Sequence, residues 1–142
     1  MKDTSELLKE CNAGIKMGVS SIEEVLDNVK SEKMKEILSS SKEEHQRLGS
    51  ETNKLLSELG LAGKEPNPMA KGMSWLKTNL MLSMDESDAC IADLITDGCN
   101  MGVKSLNRYM NQYKAADSVS KGFANRLIKL EDDLAIQMRE FL

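Results

Sequence analysis

The sequence is poor in the residues that most binding and catalytic chemistry relies on. It has one histidine, one tryptophan, two prolines and an aromatic content of only 4%. A single imidazole excludes every arrangement that needs two, and two prolines leave long helices few forced breaks. Three cysteines, Cys11, Cys90 and Cys99, contain no Cys-x-x-Cys pair, so they read as neither a disulfide framework nor a zinc site. Cys90 and Cys99 lie nine residues apart, on opposite faces of one helix, and small buried hydrophobes in a reducing compartment are the expected role. No apolar run approaches the ~18 residues of a membrane span. The net charge of −4, with no basic stripe among aromatics, argues against nucleic acid. The opening Met1-Lys2-Asp3 puts an acid where a secretory leader needs a basic end, so the expected location is the cytoplasm. No Ser-His-Asp set, Cys-His pair or phosphate-cradling loop after a strand is present. We therefore expect no enzyme and no cofactor.

What is present is a stretch that occurs twice. Gly14-Ile15-Lys16-Met17-Gly18-Val19-Ser20-Ser21-Ile22 returns as Gly98-Cys99-Asn100-Met101-Gly102-Val103-Lys104-Ser105-Leu106, 84 residues later. Gly, Met, Gly, Val and Ser recur in register, and internal repeats fix architecture before other signals do. The reading is a duplicated helical hairpin. Glycine inside a helix is unfavourable by about 1 kcal/mol against alanine, and close helix approach is the economical reason for tolerating it here.

Apolar residues at steps of three and four outline the elements. A first helix is expected over about 4–30, capped by Asp3 or Thr4, and a second over about 32–59, capped by Ser31 and ended by Gly60. Asn67-Pro68 reads as the start of a shorter helix over about 68–84, ended by Ser83 or Asp85. Two more follow over about 86–114 and 118–142. The spacing predicts an all-α single domain over 1–142: two antiparallel hairpins joined by a long helical crossover, which leaves the second and third long helices parallel.

The residues carrying a family resemblance are Leu7-Leu8-Lys9-Glu10-Cys11-Asn12-Ala13-Gly14, Glu43-Glu44-His45, Leu55-Leu56-Ser57-Glu58-Leu59-Gly60, Lys71-Gly72-Met73-Ser74-Trp75-Leu76-Lys77 and the 98–113 segment. With two hairpins and a crossover helix bearing a Trp, the chain resembles the ferritin-like superfamily, and more narrowly its uncharacterised bacterial four-helix-bundle proteins. The resemblance implies a ferritin-like four-helix bundle and raises the question of metal. Di-iron members carry a carboxylate on each of two helices and Glu-x-x-His on the other two. Here Lys42 stands three before His45, and the repeated segment has no acid at its centre, so a degenerate site without metal is expected.

His45, on the apolar stripe of its helix, reads as a hydrogen-bonded core histidine; His45 with Glu44 is the weak metal candidate. Glu131-Asp132-Asp133 reads as a solvated face, because consecutive helical residues diverge by about 100°. A stripe of Met69, Met73, Leu76, Leu80 and Met84 reads as packing. Trp75 and Leu82 form a second apolar face on the crossover helix and are the interface candidates. The functional expectation is a non-catalytic bundle acting through protein association as a homodimer. The alternative is a metal-binding oxidase or storage protein with a degenerate site.

Overall fold

A computed structural model describes residues 1–61 and 74–142 of the chain. Five helices form: α1 (Lys2–Leu26), α2 (Glu32–Glu58), α3 (Trp75–Ser83), α4 (Asp88–Gln112) and α5 (Ser118–Met138), with a 3₁₀ turn at Arg139–Phe141. Among the described residues there is no strand, and the chain is all-α. No described helix is long and apolar enough to cross a membrane.

The helix ends show how local chemistry sets the boundaries. Ser31 accepts the Met34 N–H at 3.2 Å, Ser87 the Cys90 N–H at 3.2 Å, and Asp117 the Ser120 N–H at 2.8 Å. Each satisfies a donor that a helix start leaves unpaired. Gly60 adopts φ +70°, the left-handed position expected after α2. The first helix differs from expectation, since it begins at Lys2 with no side-chain cap. Asp3 and Thr4 lie inside it and serve another partner: Asp3 accepts the Ala115 N–H and Thr4 the Asp117 N–H, both at 2.9 Å. The crossover also differs. Ser74 is extended and caps α3 by accepting the Lys77 N–H at 3.2 Å, so no single helix runs through 68–84. Asn67-Pro68, Met69 and Met73 lie outside the described residues. The helix is ended by Met84 in the left-handed region at φ 55°, rather than by Ser83 or Asp85.

Hydrogen bonds between helix ends give the directions of the chain. At one end, Asp88 at the start of α4 accepts the N–H groups of Lys30 and Ser31 in the α1–α2 turn, at 2.8 and 2.9 Å. Lys33 meets Glu140 there at 2.9 Å. At the other end, Asp3 and Thr4 hold the α4–α5 turn. The starts of α2 and α4 therefore share one end, and these helices run in the same direction; each is antiparallel to its hairpin partner.

The core falls into two apolar clusters. One gathers Ile22, Val25, Met34, Leu38, Leu80, Ile91, Ile95, Leu134 and Met138. The other gathers Leu7, Leu8, Ile15, Leu48, Leu56, Leu106 and Leu127. Along every long helix the break comes at one level: Gly18 between Ile15 and Ile22, His45 between Leu38 and Leu48, Gly102 between Cys99 and Leu106, and Glu131 between Leu127 and Leu134.

Candidate functional site

His45 sits at that level, 1% exposed. Its Nδ1 donates to the Ser41 carbonyl at 2.8 Å, one helical turn back. Because a carbonyl can only accept, Nδ1 carries the proton. Nε2 lies 3.0 Å from Oε1 of Glu131 on α5. Burial by itself disfavours the imidazolium. The hydrogen bond and charge of Glu131, the Ser41 carbonyl and the more distant Glu44 outweigh it, so the His45 pKa is raised above 6.5. The ring is thus held between a carbonyl and a carboxylate, both of which favour its charged form.

Glu131 is the residue the sequence pattern missed. Asp132 and Asp133 do face solvent, and Asp133 takes Lys129 at 2.9 Å. Glu131 instead turns inward. A signal was present: His45 lies fourteen residues after its N-cap Ser31, and Glu131 fourteen after its N-cap Asp117. They occupy the same place in their respective hairpins. Glu44, the residue paired with His45 in the metal reading, is exposed. Among the described residues, no three of His, Cys, Asp and Glu cluster in a way that could hold a metal ion.

The pair forms part of the floor of a cavity of about 570 Å³. The walls are α1 and α4, and they are built from the repeated residues. Gly14, Met17, Gly18 and Ser21 line one side; Gly98, Met101, Gly102 and Ser105 line the other. These positions recur at i, i+3, i+4 and i+7, which is one face of a helix. Leu127 and Leu134 of α5 flank Glu131 beneath them. Trp75 of α3 closes one side of the mouth, its ring 3.9 Å from where a Gly98 Cβ would stand.

This geometry corrects the close-packing account of the glycines. Among the described residues, a Cβ on Gly98 or Gly102 would meet nothing nearer than 3.9 and 3.8 Å, and one on Gly14 would stand 3.6 Å from Leu127, all ordinary contacts. Only Gly18 is crowded, by the His45 ring of α2. Three of the four glycines therefore border open space or ordinary contact, and α1 and α4 are separated by a cavity along this stretch.

The other candidates fall around the site. Trp75 is 37% exposed, at the rim of the cavity, and Leu82 is 76% exposed on the outer side of α3. Leu76 and Leu80 of the methionine stripe are buried, but Met84 is exposed and does not pack. The start of α3 is tied to α1: Glu24 accepts the Ser74 N–H at 2.9 Å, and Lys77 donates to the Asn28 side chain at 3.3 Å. Cys11, Cys90 and Cys99 are all free thiols. Burial, with Glu10 nearby, pushes the Cys11 thiol up to about 12, and burial together with Glu131 raises Cys99 as well. Neither forms a ready thiolate. Compared with known proteins, the chain matches no family model, no curated protein and no solved structure.

Proposed function

We propose that this chain is a non-catalytic helical bundle of the ferritin-like kind whose work is to bind a small, largely apolar molecule between α1 and α4. The observation that carries the reading is the coincidence of repeat and cavity. The Gly, Met, Gly and Ser residues common to both copies of the repeat are the ones that line the opening. A volume of about 570 Å³ falls within the range of small-molecule sites, and such sites are mostly apolar with a few placed polar groups. Support for the ferritin-like arrangement comes from the parallel course of α2 and α4, because the link between them must then travel the length of the bundle. The matched positions of His45 and Glu131 support an origin by duplication. Three free thiols suit the cytoplasm.

The test uses N-phenyl-1-naphthylamine, a dye that is neutral at pH 7 and brightens in a dry apolar site. The parent protein should enhance its emission, and Gly98→Leu with Gly102→Leu, which fill the opening, should abolish the effect. Enhancement that persists in a folded double variant sinks the reading.

A second reading, association as a homodimer, is favoured by the outer side of α3. Met81, Leu82 and Met84 are 55%, 76% and 93% exposed there, beside Trp75. A second copy is the simplest cover for such a patch. Sedimentation should give a dimer at tens of micromolar that Leu82→Ser dissociates; a monomer in the parent removes this reading and leaves the cavity untouched.

A further inference from the structure

We infer that the molecule taken up between α1 and α4 is an apolar amine, held by its ammonium group on the carboxylate of Glu131. This rests on the cavity being a binding site, and it adds the chemistry of the ligand. Among the described residues, neither lysine nor arginine lines the cavity, whereas Glu10 and Glu131 do. Among the described lining residues, the one that can be cationic is His45, and both its nitrogens are engaged, with Ser41 and with Glu131. An incoming carboxylate or phosphate would find no free cation, and it would face Glu131 across an apolar interior. Burying an anion without a partner is strongly unfavourable.

An ammonium meets the opposite situation. Glu131 gives Oε1 to His45, has the Cys99 thiol beside the same carboxylate, and presents Oε2 on the side of Gly102, 3.8 Å from where a Cβ there would stand. The absence of a side chain at 102 is not required by packing, since that Cβ would make only ordinary contact. Its effect is to leave the carboxylate reachable from the cavity, although every residue but proline is a better helix former. The rest of the lining suits the body of such a ligand. Trp75 and Tyr109 are among the lining residues, and aromatic rings attract cations as well as apolar groups. Met17 and Met101 offer flexible thioether chains that adapt to irregular shapes.

The experiment is displacement of N-phenyl-1-naphthylamine by three rigid probes of one shape, 1-aminoadamantane, 1-adamantanol and adamantane-1-carboxylate. In the parent protein, the amine should displace the dye at a concentration at least about tenfold below that of the acid, with the alcohol between them. This comparison needs no variant. In Glu131→Gln, a neutral His45 can still accept a hydrogen bond from the new amide, so the fold is retained. There the amine should fall to within about threefold of the alcohol. If the dye binds but the acid displaces it as well as the amine does, or the amine fails to displace it, the ligand class is wrong and the binding function stands. If Glu131→Gln keeps the full preference for the amine, Glu131 is not its partner and the inference falls. A dye that never enters the cavity overturns the binding function and this inference together.

Discussion

Gly18 of α1 and His45 of α2 fit against each other so closely that no other residue can replace the glycine without moving the imidazole. A Cβ at position 18 would lie 2.8 Å from Cδ2 and 2.9 Å from Nε2 of the ring. The ring is held from both sides, by Ser41 and by Glu131, and cannot move without straining one of those bonds. At the repeat-related position the neighbour is Glu131, at an ordinary 3.8 Å. Two glycines with the same sequence context thus carry different burdens.

Alanine substitution separates them. Gly18→Ala should destabilise by about 1–3 kcal/mol, because overpacking against a pinned ring outweighs the gain in helix propensity. Gly102→Ala should be stabilising by roughly 0.5–1 kcal/mol, as for an unhindered helix interior. In thermal melts of a domain this size each kcal/mol corresponds to about 2–4 °C. Equal shifts in the two variants would show that His45 is not held where the geometry puts it.

The His45–Glu131 pair makes stability depend on pH in a definite direction. The folded-state pKa of His45 is raised above 6.5, so its contribution is complete below 6.5 and is lost as pH rises through the folded value. The groups facing the ring are Glu131 from α5 and, at longer range, Glu44 on α2; α1 presents Gly18. Urea unfolding of the parent and of Glu131→Gln from about pH 6 to about pH 9 should show the parent's advantage greatest at the acid end and shrinking toward the alkaline end. A constant gap would mean that the imidazole is neutral in both proteins.

The helices were readable because their signals are local. Ser31 caps where a serine before an apolar-periodic run should, Gly60 takes the left-handed position, and of the stripe Leu8, Cys11, Ile15, Val19, Ile22, Leu26 and Val29 all are buried except Val19 and Leu26, which are half-buried. What escaped the sequence depends on partners far along the chain. Glu131 looks like a member of an acidic, solvated run until its contact 86 residues away is known. Asp3 and Thr4 look like caps of their own helix, yet the donors they satisfy belong to a turn more than a hundred residues later. The repeated glycines were visible from the start, but a glycine at a helix contact and a glycine beside a cavity have the same sequence signature. The start of α3 at Ser74 was hidden because the stronger local signal, Asn67-Pro68, drew the boundary to itself.

The left-handed end of α3 offers a stabilising substitution. Met84 sits at φ 55° with its side chain 93% exposed, so it bears the conformational penalty of a Cβ there while burying almost nothing. Met84→Gly should stabilise by about 1 kcal/mol and slow hydrogen exchange in the last turn of α3. No change in melting temperature would mean that the turn relaxes out of that conformation in solution.

The metal-dependent alternative can be tested on the same central level. A di-iron centre of the kind the resemblance implies takes about six inward ligands, carboxylates on all four helices and two imidazoles. At this level α1 and α4 contribute Gly18 and Gly102, which have no ligand atom, and α2 and α5 contribute one imidazole and one carboxylate. Those two groups are already bonded to each other. His45 Nδ1 carries its proton toward Ser41, so only Nε2 can ligate, and to do so it must give up Glu131 or share it with the metal. Two ligands are too few for tight iron binding, and a cation would also have to displace the proton that the pair shares. Protein expressed in iron-supplemented medium and purified without chelator should therefore contain well under one iron per chain, and should oxidise Fe(II) no faster than buffer does. Its melting temperature should also be indifferent to added Fe(II) or Zn(II), because a ligand that binds only the folded state raises it. Two irons per chain, or oxidation clearly above the buffer rate, would make the oxidase reading the better one and give the His45–Glu131 level a catalytic role.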